Sequence, residues 1–290
     1  MSSEAPNDQS DVEELADALL AAVEEDLERP LTPESDDPMT TAAMALRRLG
    51  IDLVRRYNRL EINTEQTTFD NPVLFVANHG FGGIFDLNVF ATAAALEQLQ
   101  LDRPVTALTH QLAWTLKVGP LIEPLGARPA SQDSARAAFD DGQHVLVFPG
   151  GDVEAAKTFD ERNQIIFGGR SGFARLAMQH GVPIVPIVTA GAGESLLVVS
   201  SGKRLAKALQ LDKLLRVKAL PLTVSLPWGV NVGAVGMLPY LPLPTKLHTR
   251  VLPAVHAESE EQPDAYAKRV QSAMQQALDE MTANRKPLIG

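Results

Sequence analysis

Residues 72–86 read PVLFVANHGFGGIFD. The first six are apolar without interruption, as expected of a strand buried on both faces of a sheet. The run ends at Asn78-His79, glycine fills three of the next four positions, and Asp86 stands in front of LNVFATAAALEQL, whose apolar spacing is helical. Strand, glycine loop and helix in this order form the opening unit of an α/β protein. Glycine loops after strands often cradle a phosphate. This one has neither a G-x-x-x-x-G-K-[ST] run nor a G-x-G-x-x-G in register. A histidine at the strand end points to proton transfer instead.

The rest of the chain repeats the alternation. LEIN, PVTALT, HVLVFPGG, VPIVPIVT and KLHTRVLPAV read as further strands. Helical spacing runs from about Met39 to Tyr57, over Asp86 to Gln100, and through SQDSARAAFDDG, which has Ser131 to cap it and Gly142 to stop it. Residues 111–125 read as helical or irregular. GRSGFARLAMQHG is a further helix, and Pro263 to Asn284 is amphipathic, with Tyr266, Val270, Met274 and Leu278 on one face. The fold class expected is α/β, a largely parallel mixed sheet flanked by helices on both faces. Sites in such sheets lie beyond the carboxyl ends of strands. Two such ends carry chemistry: Asn78-His79 and Pro149-Gly150-Gly151.

Charge divides the chain unevenly. Of 36 acidic residues, thirteen fall in residues 1–40 with a single arginine, so the remainder is close to neutral despite a formal net charge of −10. The expected organisation is an acidic, partly disordered N-terminal tail over 1–38, then a single α/β domain over 39–290 with a C-terminal amphipathic helix at 263–284. PLTPESDDP, residues 30–38, reads as the linker. Within the tail, VEELADALLAAVEEDLE has helical spacing but is too acidic to favour an anionic surface. The absence of cysteine excludes disulfides, thiolate zinc sites and cysteine nucleophiles. No run reaches the ~18 apolar residues that span a bilayer, and MSSEAPNDQSDVEE has no basic region of the secretory kind. No G-x-S-x-G elbow, i,i+4 histidine pair or Asp-rich loop is present. Nothing points to nucleic acid.

His79 and Asp86 admit two readings. A neutral imidazole is the usual base for a hydroxyl, and it works best with a carboxylate orienting its other nitrogen. The glycines could let the loop fold Asp86 back under the ring. Alternatively Asp86 caps the following helix and His79 is a satisfied buried histidine.

Four further stretches, taken together, are more specific: LIEPLGARPAS (121–131), VLVFPGGDVEA (145–155), FGGRSGFARLAMQHGVPIVPIVTAG (167–191) and LPLPTKLHTRVLPAV (241–255). With Asn78-His79 and Asp86, in this order and spacing, the chain resembles the lysophospholipid acyltransferase superfamily over roughly residues 45–255. More closely it resembles the bacterial branch related to diacylglycerol acyltransferases. The resemblance implies O-acyl transfer from an acyl thioester to a lipid hydroxyl. It implies His79 as the base, Asp86 as its orienting partner, and no cofactor, with acyl-CoA or an acyl carrier protein as co-substrate. Gly150 and Gly151 are the candidates for oxyanion donors, Asn78 for a further substrate contact, and Lys117 and Arg170 for contacts to acidic groups of the carrier or acceptor.

The chain departs from the family pattern at two places. The usual His-x4-Asp is His-x6-Asp here, with Ile84 at the usual acid position. The usual Phe-Pro-Glu-Gly is Phe148-Pro149-Gly150-Gly151, followed by Asp152 and Glu154. If those two acids face the acceptor they repel a phosphate, so a neutral acceptor such as diacylglycerol or a long-chain alcohol is expected. A lysophosphatidate acyltransferase, a thioesterase and a non-catalytic lipid-binding protein are the alternatives. A cytoplasmic protein bound peripherally to the inner face of the cell membrane is expected, through SLPWGVNVGAVGMLPYLPLPTK, residues 225–246, whose apolar, Trp and Tyr side chains suit an interface. Ordinary core and strand is the other reading of that segment.

Overall fold

The computed structural model describes residues 37–80, 86–115, 118–155, 157–200, 222–225, 229–232 and 242–290. In chain order the main elements are α1 (Pro38–Arg56), β1 (Glu61–Thr64), β2 (Leu74–Ala77), α2 (Leu87–Leu99), β3 (Val105–Thr109), α3 (Gln111–Thr115), α4 (Gly119–Ile122), β4 (Ala127–Pro129), α5 (Gln132–Asp140), β5 (His144–Val147), α6 (Gly151–Ala155), α7 (Gly172–His180), β6 (Ile184–Ala190), β7 (Leu197–Ser200), β8 (Leu222–Ser225), β9 (Gly229–Val232), β10 (His248–Val251) and α8 (Pro263–Thr282). The linker reading ends where the physics of helix initiation asks. Asp37 caps α1 by accepting from Met39 N and Thr40 N, and Pro38 fills the first helical position, where no N–H is needed.

Seven strands form the main sheet in the order β1-β10-β6-β2-β5-β3-β4. From β6 to β4 all neighbours run parallel, while β10 is antiparallel to β6 and β1 is parallel to β10. The expected largely parallel mixed sheet is therefore present. The central strands β2 and β6 are buried along their whole length, which is why they read as unbroken apolar runs. Their side chains alternate. Leu74 and Val76 enter a core with α5, α7 and α8, where Phe139, Phe173, Tyr266 and Met274 pack. Phe75 and Ala77 enter the opposite core with Ala95 and Leu99 of α2. Both faces are covered, so parallel strands carry no solvent-exposed surface to spoil.

Strand β4 and strand β7 of a second, three-stranded antiparallel sheet, β7-β8-β9, were not read as strands, whereas Ser225 of β8 and all of β9 fall in the segment whose other reading was core and strand. Prolines around 219–227 disguise β8, and β4 has only three residues, one of them Pro129. The second sheet also bears on the 225–246 segment: Ser225 and residues 229–232 are strand, while Trp228, Met237, Leu238, Tyr240 and Leu241 lie outside the described residues, as do residues 1–36 and the amphipathic run within them. Lys246, expected to end a membrane patch, is instead ion-paired with Glu61 at 2.7 Å.

Candidate active site

Strands β2 and β5 are hydrogen-bonded neighbours running the same way, so their carboxyl ends bring Asn78-His79 beside Phe148-Pro149-Gly150-Gly151. The His79 ring lies against the Phe148 ring, centroids 4.7 Å apart and planes 33° from parallel. His79 Nδ1 is 2.6 Å from Asp86 Oδ2, with His79 partly exposed (17%) and Asp86 nearly buried. The other carboxylate oxygen, Oδ1, accepts Asn88 N at 3.0 Å and caps α2. Asp86 thus both contacts the His79 ring and caps α2, because a carboxylate has two oxygens and the chain uses one for each contact. Two additional residues in the loop relative to His-x4-Asp do not break the pair. A carboxylate only accepts, so Nδ1 carries a proton, and in the neutral imidazole the lone pair that a base needs is then on Nε2.

Below the histidine lies a second carboxylate. Glu154 is fully buried. Its Oε2 accepts the backbone N–H of His79 at 3.0 Å, and its Oε1 accepts Ile166 N at 3.1 Å and lies 3.5 Å from Lys157 Nζ. Lys157 is itself buried and donates to Gln164 O at 2.8 Å. Burial pushes the Lys157 ammonium below its ordinary range, with Glu154 opposing the shift. Glu154 therefore points inward, under the loop that carries His79 and beside Lys157, contrary to the expectation that it faces an acceptor. The side chain of Asp152 lies outside the described residues.

The turn after β5 is built around two glycines. Gly151 sits at φ +50°, in the left-handed region that favours glycine. Its N–H donates to Phe148 O at 3.3 Å, closing the turn. No hydrogen-bond partner of Gly150 N–H is found among the described residues. Arg170 Nη1 donates to Pro149 O at 2.9 Å and also to Gly150 O. The guanidinium clamps the turn, so the group expected to greet an acidic carrier is engaged by two main-chain carbonyls.

Residues 57–190 match the family model described as Acyltransferase. That acyltransferase-like region, 134 of the chain's 290 residues, holds the pair His79–Asp86, the glycine turn and Glu154. An uncharacterized protein of Mycobacterium tuberculosis is 28% identical over 236 residues, 79% of this chain and 62% of that protein, so the match spans less than two thirds of the relative. Phytyl ester synthase 1, chloroplastic, of Arabidopsis thaliana is 32% identical over 124 residues, 41% of this chain and 18% of the relative. Diacylglycerol O-acyltransferase 2 of Homo sapiens is 28% identical over 152 residues, 50% of this chain and 37% of the relative.

Other residues singled out in the sequence fall in different places. Asn78 is 3% exposed, and its amide pairs with the neighbouring strand: Nδ2 donates to Thr189 O at 3.1 Å and Oδ1 accepts Thr189 N at 2.8 Å. It staples β2 to β6, a structural task beside the substrate contact expected of it. Lys117 lies outside the described residues. Asn88 and Lys157 were missed. Asn88 Nδ2 donates to Asn78 O at 2.7 Å, tying the start of α2 to the end of β2. The spacing Glu154-x-x-Lys157 was the available signal for the ion pair, which forms between the last turn of α6 and the chain just past its end at Ala155. Among the described residues no cluster of three or more His, Asp or Glu side chains is placed to hold a metal, and no helix is long and apolar enough to cross a membrane.

Proposed function

We propose that this chain is an O-acyltransferase that moves a fatty acyl group from an acyl thioester, acyl-CoA or an acylated carrier protein, to the hydroxyl of a neutral lipid acceptor. The observation that carries the reading is the His79–Asp86 pair at the carboxyl edge of β2, 2.6 Å apart and braced by Phe148. In the step proposed, the acceptor oxygen attacks the thioester carbonyl carbon while its proton passes to His79 Nε2. Asp86 steadies the imidazolium through Nδ1–H. The oxyanion is met by main-chain N–H at the Gly150 turn. Collapse expels the thiolate, which takes the proton back from Nε2, leaving an ester and a free thiol.

Support for a neutral acceptor no longer includes repulsion from Glu154, whose charge is buried and paired. It rests on the Gly150-Gly151 form of the turn and on two relatives whose names specify phytyl esters and diacylglycerol. Because such acceptors live in bilayers, peripheral docking at the inner membrane face through residues 225–246 is part of the proposal. The test is purified protein with labelled acyl-CoA and a panel of diacylglycerol, monoacylglycerol, fatty alcohol and lysophosphatidate, the products then separated. Faster acylation of a neutral acceptor supports the reading; clear preference for lysophosphatidate overturns the acceptor assignment. Thioester loss that no acceptor accelerates points to a hydrolase. His79→Ala abolishes transfer and spares lipid binding if the proposal holds; unchanged turnover in that variant defeats the mechanism.

A further inference from the structure

The carboxylate of Glu154 spans three segments of chain. It holds the His79 N–H, the Ile166 N–H and the Lys157 ammonium, all without solvent. A buried ion pair is poor value as a source of stability, because desolvation costs several kcal/mol per ion and a well-packed apolar pair often does as well. What such a pair can deliver is a fixed, charge-assisted acceptor at one point. That point is the main chain of the residue whose ring must present Nε2. Asp86 fixes the ring from its Nδ1 side, and Phe148 lies against its face. Glu154 fixes the backbone from which the ring hangs.

Gly150 bears on why this carboxylate comes from position 154. A Cβ built on Gly150 would lie 2.2 Å from Glu154 Oε2 and 2.3 Å from Glu154 Cβ. The Glu154 side chain thus occupies the volume that a side chain at 150 would need. Position 150 is the one at which the family turn carries glutamate. Its backbone is not left-handed, so glycine is there for space and not for conformation.

We propose that Glu154 is the positioning residue of His79, supplying from four residues further along α6 the carboxylate that the usual turn places at 150, with Gly150 as the space this exchange requires. The inference rests on the reading of His79 as the base. Lys157 belongs to the device: it neutralises the carboxylate, so the base above senses a fixed hydrogen bond and not a bare anion. Loss of either partner alone leaves one buried charge unpaired, so single variants confound positioning with stability.

The experiment therefore uses E154A/K157M, which removes both charges, and the relocation variant G150E/E154G beside E154G. Three quantities are measured on each full-length protein: the thermal transition, kcat and KM for acyl-CoA with the best acceptor, and the proton NMR resonance of His79 Nδ1–H in its bond to Asp86. We expect E154A/K157M to unfold cooperatively, to lose about 10²-fold in kcat with KM unchanged, as displacement of a catalytic group by about 1 Å can cost, and to lose the resonance. G150E/E154G recovers most of the rate and the resonance lost in E154G. A folded E154A/K157M with native kcat and an intact resonance overturns the assignment, as does a folded relocation variant no better than E154G. The resonance makes the two levels separable: a wild-type protein that acylates no acceptor defeats the functional reading, while the Nδ1–H signal still decides the role of Glu154.

Discussion

Replacing Asp86 with asparagine sets the two tasks of this carboxylate against each other. In the wild type one oxygen accepts from His79 Nδ1 at 2.6 Å and the other from Asn88 N at 3.0 Å. Asparagine offers one acceptor oxygen and one NH2 donor. If the oxygen stays on the helix end, the cap is nearly preserved, since Asn and Asp are comparable at that position. The NH2 then faces Nδ1 and can be satisfied only by a lone pair there, which moves the ring proton to Nε2 and removes the base. A general base contributes about 10²–10⁴-fold, so a loss near 10³-fold, or about 4 kcal/mol of barrier, is expected with Tm almost unchanged. If the amide turns the other way, the ring keeps its tautomer and the cap is lost. That costs about 1 kcal/mol, roughly 2–4 °C in a domain of this size, with a smaller loss of rate. Acyl-transfer rate and thermal unfolding measured on the same preparation separate the two. An Asp86→Asn protein native in both rate and Tm would refute the reasoning, because one amide oxygen cannot serve both donors.

Three further outcomes follow from other buried polar groups. His144 is fully buried, with Nδ1 accepting Val73 N at 3.1 Å, and burial holds its pKa below the ordinary 6.5 while Asp102 opposes and Arg103 adds to the shift. The unfolded chain takes up that proton first, so this contribution is complete above about pH 6.5 and is lost as pH falls toward the folded-state value; urea unfolding between pH 8 and 5 should show stability falling with pH, less steeply in His144→Gln. Glu194 is buried, a condition that raises a carboxyl pKa, yet Arg285, Leu288 N and Thr245 hold it below the usual range. Arg285→Met leaves that charge without its 2.7 Å partner and should cost about 3–5 kcal/mol in denaturant unfolding; a change under 1 kcal/mol contradicts the pairing argument. Asn78→Ala strips the acceptor and donor from Thr189 N and O and should destabilise by about 1–3 kcal/mol, with a calorimetric scan showing whether it does.

What the sequence determined by itself is what local patterns carry. Unbroken apolar runs ending in Asn78-His79 and Phe148-Pro149-Gly150-Gly151 required buried strands with loops at their carboxyl ends, since only a doubly covered sheet makes such runs favourable. Asp86 and Ser131 could be read as caps, because a cap acts within a few residues. The superfamily resemblance rested on the same local stretches. Tertiary structure decided where the polar groups of the site point. Asn78 meets Thr189 across 111 residues, and Glu154 meets His79 across 75. Whether a carboxylate near the turn faces outward or lies under the loop that carries His79 depends on Gly150 leaving room and on Lys157 being carried to it. No periodicity along the chain encodes that. The same holds for Arg170, read as a candidate contact to acidic groups of the carrier or acceptor and found on Pro149 O. Apolar burial repeats with the strand and helix periods and so is written along the sequence, whereas a buried charge is settled by the partner that packing brings within about 3 Å of it.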